Sequence, residues 1–520
     1  MVTKYGWMVT MDVFQSIAHE LNSDLGLLII PTVMIPLTAV SVLLTMIATF
    51  IAGLFGITLK AEGPKKLLEV LLKPKILVGA LILNGLILGG VWGYEYYQNL
   101  PSFIFTIKSK QKQLALNSEI NYTDVLRRPV KKNRVYKDKE FSGLNVQQDW
   151  SVKIPKGVFR SGVLSGGRLF LGSMDGLIYE IDPKEGKIIR KFFVGTFVSP
   201  GLVIHDNVLY SGEGTHSTHY ARIYAFNLKT GLLQSTYETK GHTEGSPVIA
   251  SFEGKTKLLA PSGSDGMHAI NLSDMKRSWR TFDGHVDASA FTDNGLVFAG
   301  TGREKGDASK HRSFAVAYNF NNGEKVWKNE LPASSWMSPT GWKEEVCFVF
   351  GEVYFLSGVG GVNCYDQKTG NPTKSFNLNH PVTGMSTVVA DDLFTSDSKG
   401  TVCSLSLRKN EVNWCRSFKT KGKSFASPVY DPSRDVLAYA SKSDGFYLLD
   451  PDSGEILTNW VGVNPAGKDK TKSGKTSVWK SHFAGAIPYE NGYILSDISG
   501  NIRKISLVKK EYKIKGISVR

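Results

Sequence analysis

From residue 145 onward the chain runs in short segments of alternating apolar and polar positions. Examples are RLFLG at 168–172, LIYEID at 177–182, NVLYS at 207–211, RIYAF at 222–226, LVFAG at 296–300, GFYLLD at 445–450 and YILSD at 493–497. Each has the length of one short β-strand. No helical segment falls between them. The segments group into units, each opened by a small residue: Ser161, Ser199, Ser246, Ser289, Ser338, Ser386, Ser427 and Gly485, eight units spaced 38 to 58 residues apart.

Two kinds of turn recur inside the units. One is the Gly-rich set GSMDG at 172, GSDG at 263, SGVGG at 357, SDSKG at 396, SKSDG at 441 and SDISG at 496. The other is a hairpin turn ending at Gly186, Gly231, Gly323, Gly370 and Gly454, with Asn410 in the same place. Gly, and less readily Asn, supplies the left-handed backbone that such turns need. Trp279, Trp327 and Trp414 follow in three units. Four strands per unit, repeated every 40 to 50 residues, predict an all-β, eight-bladed β-propeller of four-stranded blades over residues 145–508.

The first hundred residues are patterned differently. Leu25 to Leu59 is 35 residues without a charge, and Ile76 to Tyr94 is a further 19. A bilayer core takes about 20 apolar residues per helix. Pro31 and Pro36 would kink a helix, so the unit 25–96 is expected to hold two transmembrane helices at about 37–58 and 76–96. The apolar stretch is too long for a cleavable signal core, and no Cys precedes Cys347 to carry a lipid. The loop 60–75 carries Lys60, Lys65, Lys66, Lys73 and Lys75, which predicts a cytoplasmic loop with both termini outside.

Before the spans, Trp7, Met11, Phe14, Ile17 and Leu21 recur at helical spacing opposite Asp12, Gln15, His19 and Glu20. Residues 1–24 therefore read as an amphipathic helix lying in the interface or capping the spans. Residues 97–144 read as a basic linker and 509–520 as a basic tail. The predicted location is the inner (cytoplasmic) membrane, with the propeller on its periplasmic, extracytoplasmic side.

Composition sharpens this picture. Of 520 residues, 52 are Gly and 11% aromatic, which suits short strands and tight turns. The formal net charge is +15, yet residues 1–100 hold six Lys against six acids, so the excess lies beyond them. Such a basic surface suits nucleic acid, anionic lipid or glycan, or an acidic protein.

The anchors resemble the PQQ-like β-propeller repeat family, whose unit reads SPV, then GSxDGxhYAhD, then xxTGxxxW. The resemblance covers 145–508, and repetition makes it specific. Members of that family include quinoprotein alcohol dehydrogenases and the periplasmic propeller protein of the outer-membrane β-barrel assembly machinery. No unit carries the GH and WD pair of a WD40 repeat. The enzymes of the family hold pyrroloquinoline quinone over calcium, stack it on a vicinal Cys-Cys disulfide and add CxxCH when they carry haem. Here Cys347, Cys364, Cys403 and Cys415 are isolated from one another in sequence, and no matching trio of acids and Asn is recognisable. No cofactor, metal or catalytic residue is therefore expected, and a quinone-dependent dehydrogenase or ligand-sensing propeller stands as the alternative. Cys403 and Cys415 lie on consecutive strands of one hairpin, but a one-residue change of register sends them to opposite faces, so their pairing stays open.

The final repeat runs into VKKEYKIKGISVR without its own fourth strand, while VQQDWSVKI at 146–154 precedes the first blade. That segment is predicted to complete blade eight, with Trp150 in the place of the fourth-strand Trp.

Function is then expected on loops. Those that open each blade and those joining its second and third strands share one face, and there the sequence departs from the repeat. Blade two inserts 212–222, blade four inserts 301–312, and the opening of blade eight spans 462–482. The expected partner-binding face comprises His216, His219, His242, His285, Arg303, Lys305, Lys310, Arg312, Lys419, Lys421, Lys423, Lys468, Lys470, Lys472, Lys475 and Lys480. His242 and His285 each stand four residues before a blade-opening Ser. A metal site there needs loops of separate blades to converge, and none is expected. The reading is a membrane-anchored, non-catalytic propeller scaffold that binds acidic protein partners in a cell-envelope complex, with nucleic acid an unlikely partner.

Overall fold

The computed structural model describes residues 144–198, 201–214, 218–302, 312–352, 358–418, 424–441, 445–460 and 484–509, with two short strands at Lys513–Ile514 and Ile517–Ser518. The expected interfacial helix, membrane spans and basic linker lie outside the described residues. Among the described residues, no helix is long and apolar enough to cross a membrane.

Eight antiparallel four-stranded sheets follow one another, at 163–193, 203–239, 248–281, 291–331, 340–378, 387–417, 429–460, and 487–509 joined by 144–153. This is an eight-bladed propeller. Within a blade the second and third strands are covered on both faces by neighbouring blades. Leu169, Phe170 and Leu171 in blade one are all at or below 2% exposure, so the strand is buried on consecutive positions after Arg168 and not on alternate ones only. Fourth strands lie at the rim and do alternate, as Leu233–Thr239 does between half-buried and exposed positions. The core is correspondingly divided into clusters between blades; one joins Trp150 and Val152 of blade eight to Leu169, Leu171 and Tyr179 of blade one.

A repeated contact locks blade to blade. In blade one Asp182 Oδ1 accepts from Lys184 N (2.9 Å), and Gly186 N donates to Asp182 O (2.8 Å). This fixes a turn with Gly186 at φ +71°. The Trp150 ring of the preceding blade lies against that turn, so close that a Cβ on Gly186 would meet it at 2.6 Å. Trp150 Nε1 donates to Pro183 O (3.0 Å). Trp279 repeats this on Gly323 and Phe320 O, Trp327 on Gly370 and Gln367 O, and Trp414 on Gly454 and Pro451 O. In blade one Arg190 takes the Trp place and donates to Leu228 O of the next blade (2.8 Å). In blade two the place holds the small Ser235, and the facing turn carries the bulky, buried Met275 at φ +53° where five other turns have Gly and that of blade six has Asn410. Space lost on one side is filled from the other.

Ring closure uses Leu144–Lys153, which runs antiparallel to Asn501–Lys509 with Trp150 opposite Lys504 and Val152 opposite Ile502. The sheet register also resolves the cysteines. Cys403 faces Cys415 and Cys347 faces Cys364 across adjacent strands, and both pairs form disulfides. The bridge between Cys347 and Cys364 is one that the sequence reading did not raise. They lie 17 residues apart along the chain but share one rung of a hairpin.

Candidate functional site

The blade-opening serines explain their own repetition. Ser246 Oγ accepts from Gly201 N of the blade before it (2.8 Å), Ser427 Oγ from Met385 N (2.9 Å) and Ser161 Oγ from Gly485 N (2.9 Å). Each hydroxyl ties its own opening strand to the preceding one. The loops leading into these serines lie beside the loops that join second and third strands. Val286 pairs with Gly263, and His285 with Gly302, as isolated backbone bridges.

Two residues before the opening serine the repeat favours an aromatic: Phe159, Phe197, Trp336 and Phe425. Blade six has Gly384 there, and blades three and four place acids, Glu244 and Asp287; these two alone carry His four residues before the opening residue, at 242 and 285. His242 Nε2 lies 2.9 Å from Asp287 Oδ1, and His285 Nε2 lies 3.0 Å from Asp287 Oδ2. The two imidazole rings are 5.0 Å apart. All three side chains are at or below 7% exposure.

The backbone is shaped around the rings. Gly263 at φ +51° has no room for a Cβ, which would stand 2.7 Å from His242 Cε1. On the other side the Trp336 ring meets His285 edge-on at 6.1 Å. Burial by itself would raise the Asp287 carboxyl pKa, but charge on His285 and the bonds from both imidazoles outweigh it and hold the group far below the usual carboxylate range.

Arg160, one residue before the opening of blade one, donates from Nη1 to Met337 Sδ (3.8 Å), which stands one residue before the opening of blade five. In a ring of eight these blades are opposite, so Arg160 reaches across the central channel. Burial lowers its pKa, against the raising effect of Glu244 and Asp287.

His242 and His285, expected on an exposed partner-binding face, are therefore buried, because Asp287 draws both rings inward. Reading the sequence finds the two histidines and misses Glu244, Asp287 and Arg160. The signal was the repeat itself, in which an acid replaces an aromatic at one position of two adjacent blades. The loops of blades three and four do converge, which is the condition the sequence reading set for a metal site there.

Of the remaining face residues, His219 is exposed, and Arg312 Nη1 lies 3.3 Å from Glu330 at the surface. His216, Arg303, Lys305, Lys310, Lys419, Lys421, Lys423, Lys468, Lys470, Lys472, Lys475 and Lys480 lie outside the described residues. Glu213, an acid of the 212–222 insert, is buried on Thr196 Oγ1 (2.8 Å) and subtracts little from the surface charge. Its pKa is raised by burial, against the lowering effect of Thr196 and Arg222. Next to His219, Tyr220 is 77% exposed, and Phe282, in the loop that opens blade four, is 65% exposed.

The fold has solved counterparts. BamB from Moraxella catarrhalis superposes with a TM-score of 0.51 at 14% identity, over 70% of this chain and 100% of that one. The computationally designed Ika8 protein gives 0.51 at 12% identity, over 68% of this chain and 98% of the other. At such identities the likeness shows the fold. No curated protein sequence matches this chain. A family model described as outer membrane protein assembly factor BamB matches residues 142–303 and 311–468, more than half of the chain. With its repeats, its eight blades and that match, the chain belongs to the BamB family of PQQ-like propellers.

Proposed function

We propose that this chain is a membrane-anchored, non-catalytic propeller scaffold of the cell envelope. It binds an acidic protein partner through the face that carries the blade-opening loops and the inserts. The observation that carries this reading is the exposure of Tyr220 and Phe282 on that face. Large aromatics serve as anchors in protein interfaces. The surrounding lysines and arginines steer an acidic partner and set its rate of association. The family description, an outer membrane protein assembly factor, supports an envelope setting. Two disulfides among four cysteines support an oxidising compartment. The apolar stretches within 25–96 support an anchor in the inner membrane, with the propeller on the periplasmic side.

The test is association with the purified envelope partner at two ionic strengths. Reversal of charge at Lys468, Lys470 and Lys472 should slow association and reduce its salt dependence. Tyr220→Ala with Phe282→Ala should weaken capture by about tenfold or more. Neither change should move the melting temperature. Capture that survives both sets of changes would move the binding surface to the linker 97–144 or the membrane spans.

A further inference from the structure

We propose that His242, His285 and Asp287 form a binding site for a divalent transition-metal ion of the zinc class, at the mouth of the central channel between blades three and four. The repeat acts as an internal control for this assignment. Blades one, two, five and six place Gly157, Gly195, Ser334 and Val382 where blades three and four place histidine. The four corresponding loops fold without an imidazole, so blade geometry does not require one.

Nitrogen and oxygen donors in this set suit zinc and its neighbours in the first transition row more than calcium or magnesium. One ligand atom from each of the three residues lies within 4.8 Å of the others. Metal bonds of about 2.0–2.1 Å in a tetrahedral site place ligand atoms about 3.3 Å apart. The two imidazoles meet different oxygens of Asp287, at 2.9 Å (Oδ1) and 3.0 Å (Oδ2), so binding opens these contacts by a few tenths of an ångström and draws ligand atoms that now spread over as much as 4.8 Å toward that spacing. Three protein ligands leave a fourth position for water. Gly263 and Trp336 hold the rings from either side, so little ordering remains to be done on binding.

The competing arrangement is a staple in which both imidazoles simply donate to Asp287. Titration of the full chain in detergent, first stripped with chelator, separates the two. Cobalt(II) should give the visible absorption of a tetrahedral or five-coordinate ion at about one equivalent. Zinc should displace it and raise the melting temperature. His242→Gln and His285→Gln should each weaken binding by more than about 100-fold, beyond what loss of an outer-shell partner costs. His219→Gln should leave binding unchanged. If the glutamine variants do not fold, Asp287→Asn, which keeps the side-chain shape, takes their place. A folded wild-type chain without the cobalt spectrum overturns the proposal. So does a spectrum that persists in the folded His242 and His285 variants, or in folded Asp287→Asn where that variant replaces them.

Discussion

The contact between a fourth-strand Trp and the next blade's turn glycine separates two roles that glycine plays. Gly254 has φ +74° and open space where a Cβ would stand, with nothing within 4 Å, whereas Gly370 has φ +73° and a Cβ there would lie 2.6 Å from Trp327. Gly254→Ala should cost only the left-handed backbone term, about 1–2 kcal/mol. Gly370→Ala should cost more, and in a double-mutant cycle with Trp327→Ala the excess should vanish, as read by denaturant unfolding. Trp327→Ala alone should cost about 3–5 kcal/mol. A second residue, His268, is buried; its Nδ1 lies 2.8 Å from the Tyr237 hydroxyl and its Nε2 3.0 Å from Asp265. Burial lowers its pKa, against the raising effect of Asp265. The unfolded chain then takes up the proton first, so the stability this histidine contributes is complete above about pH 6.5 and falls as pH drops below that value. The destabilisation caused by His268→Gln should accordingly be larger at pH 7.5 than at pH 5, measured as the difference in melting temperature from wild type.

At the scale of strands, the closing segment carries the sharpest expectation. Trp150 and Val152 are half-buried in the cluster between blades eight and one. Trp150→Ala with Val152→Ala should lower stability by about 3–5 kcal/mol and the melting temperature with it; an unchanged melting curve would mean that the ring does not depend on this strand. The blades are legible in sequence because glycine turns and opening serines recur at a period, and repetition separates signal from chance. Pairings across strands are less legible. Whether Cys403 meets Cys415 depends on a register that one residue would reverse, and Cys347–Cys364 becomes visible only once two strands are aligned rung by rung. The meeting of His242, His285 and Asp287 is hidden for another reason. It joins loops of different blades, so neither loop alone contains the site, although an acid at a mostly aromatic position marks both.

For the whole molecule, the charge pattern of the chain makes a prediction about sidedness. Lys65 and Lys66 should be shielded from an impermeant amine reagent in cells whose outer membrane has been permeabilised, while propeller lysines react. The opposite labelling pattern would place the propeller in the cytoplasm and remove the envelope reading. The closing strand has a further consequence in time. Asp149 and its partner Ser506 are 357 residues apart in sequence, so at ordinary rates of synthesis the first strand waits on the order of tens of seconds for its mate. Its exposed positions are Asn145, Gln147, Asp149, Ser151 and Lys153, all polar, which protects an unpaired edge from pairing with a neighbouring chain. A product that stops before Asn501 leaves the strand of Trp150 without its sheet partner, so closure of the ring reports that translation has reached the last blade.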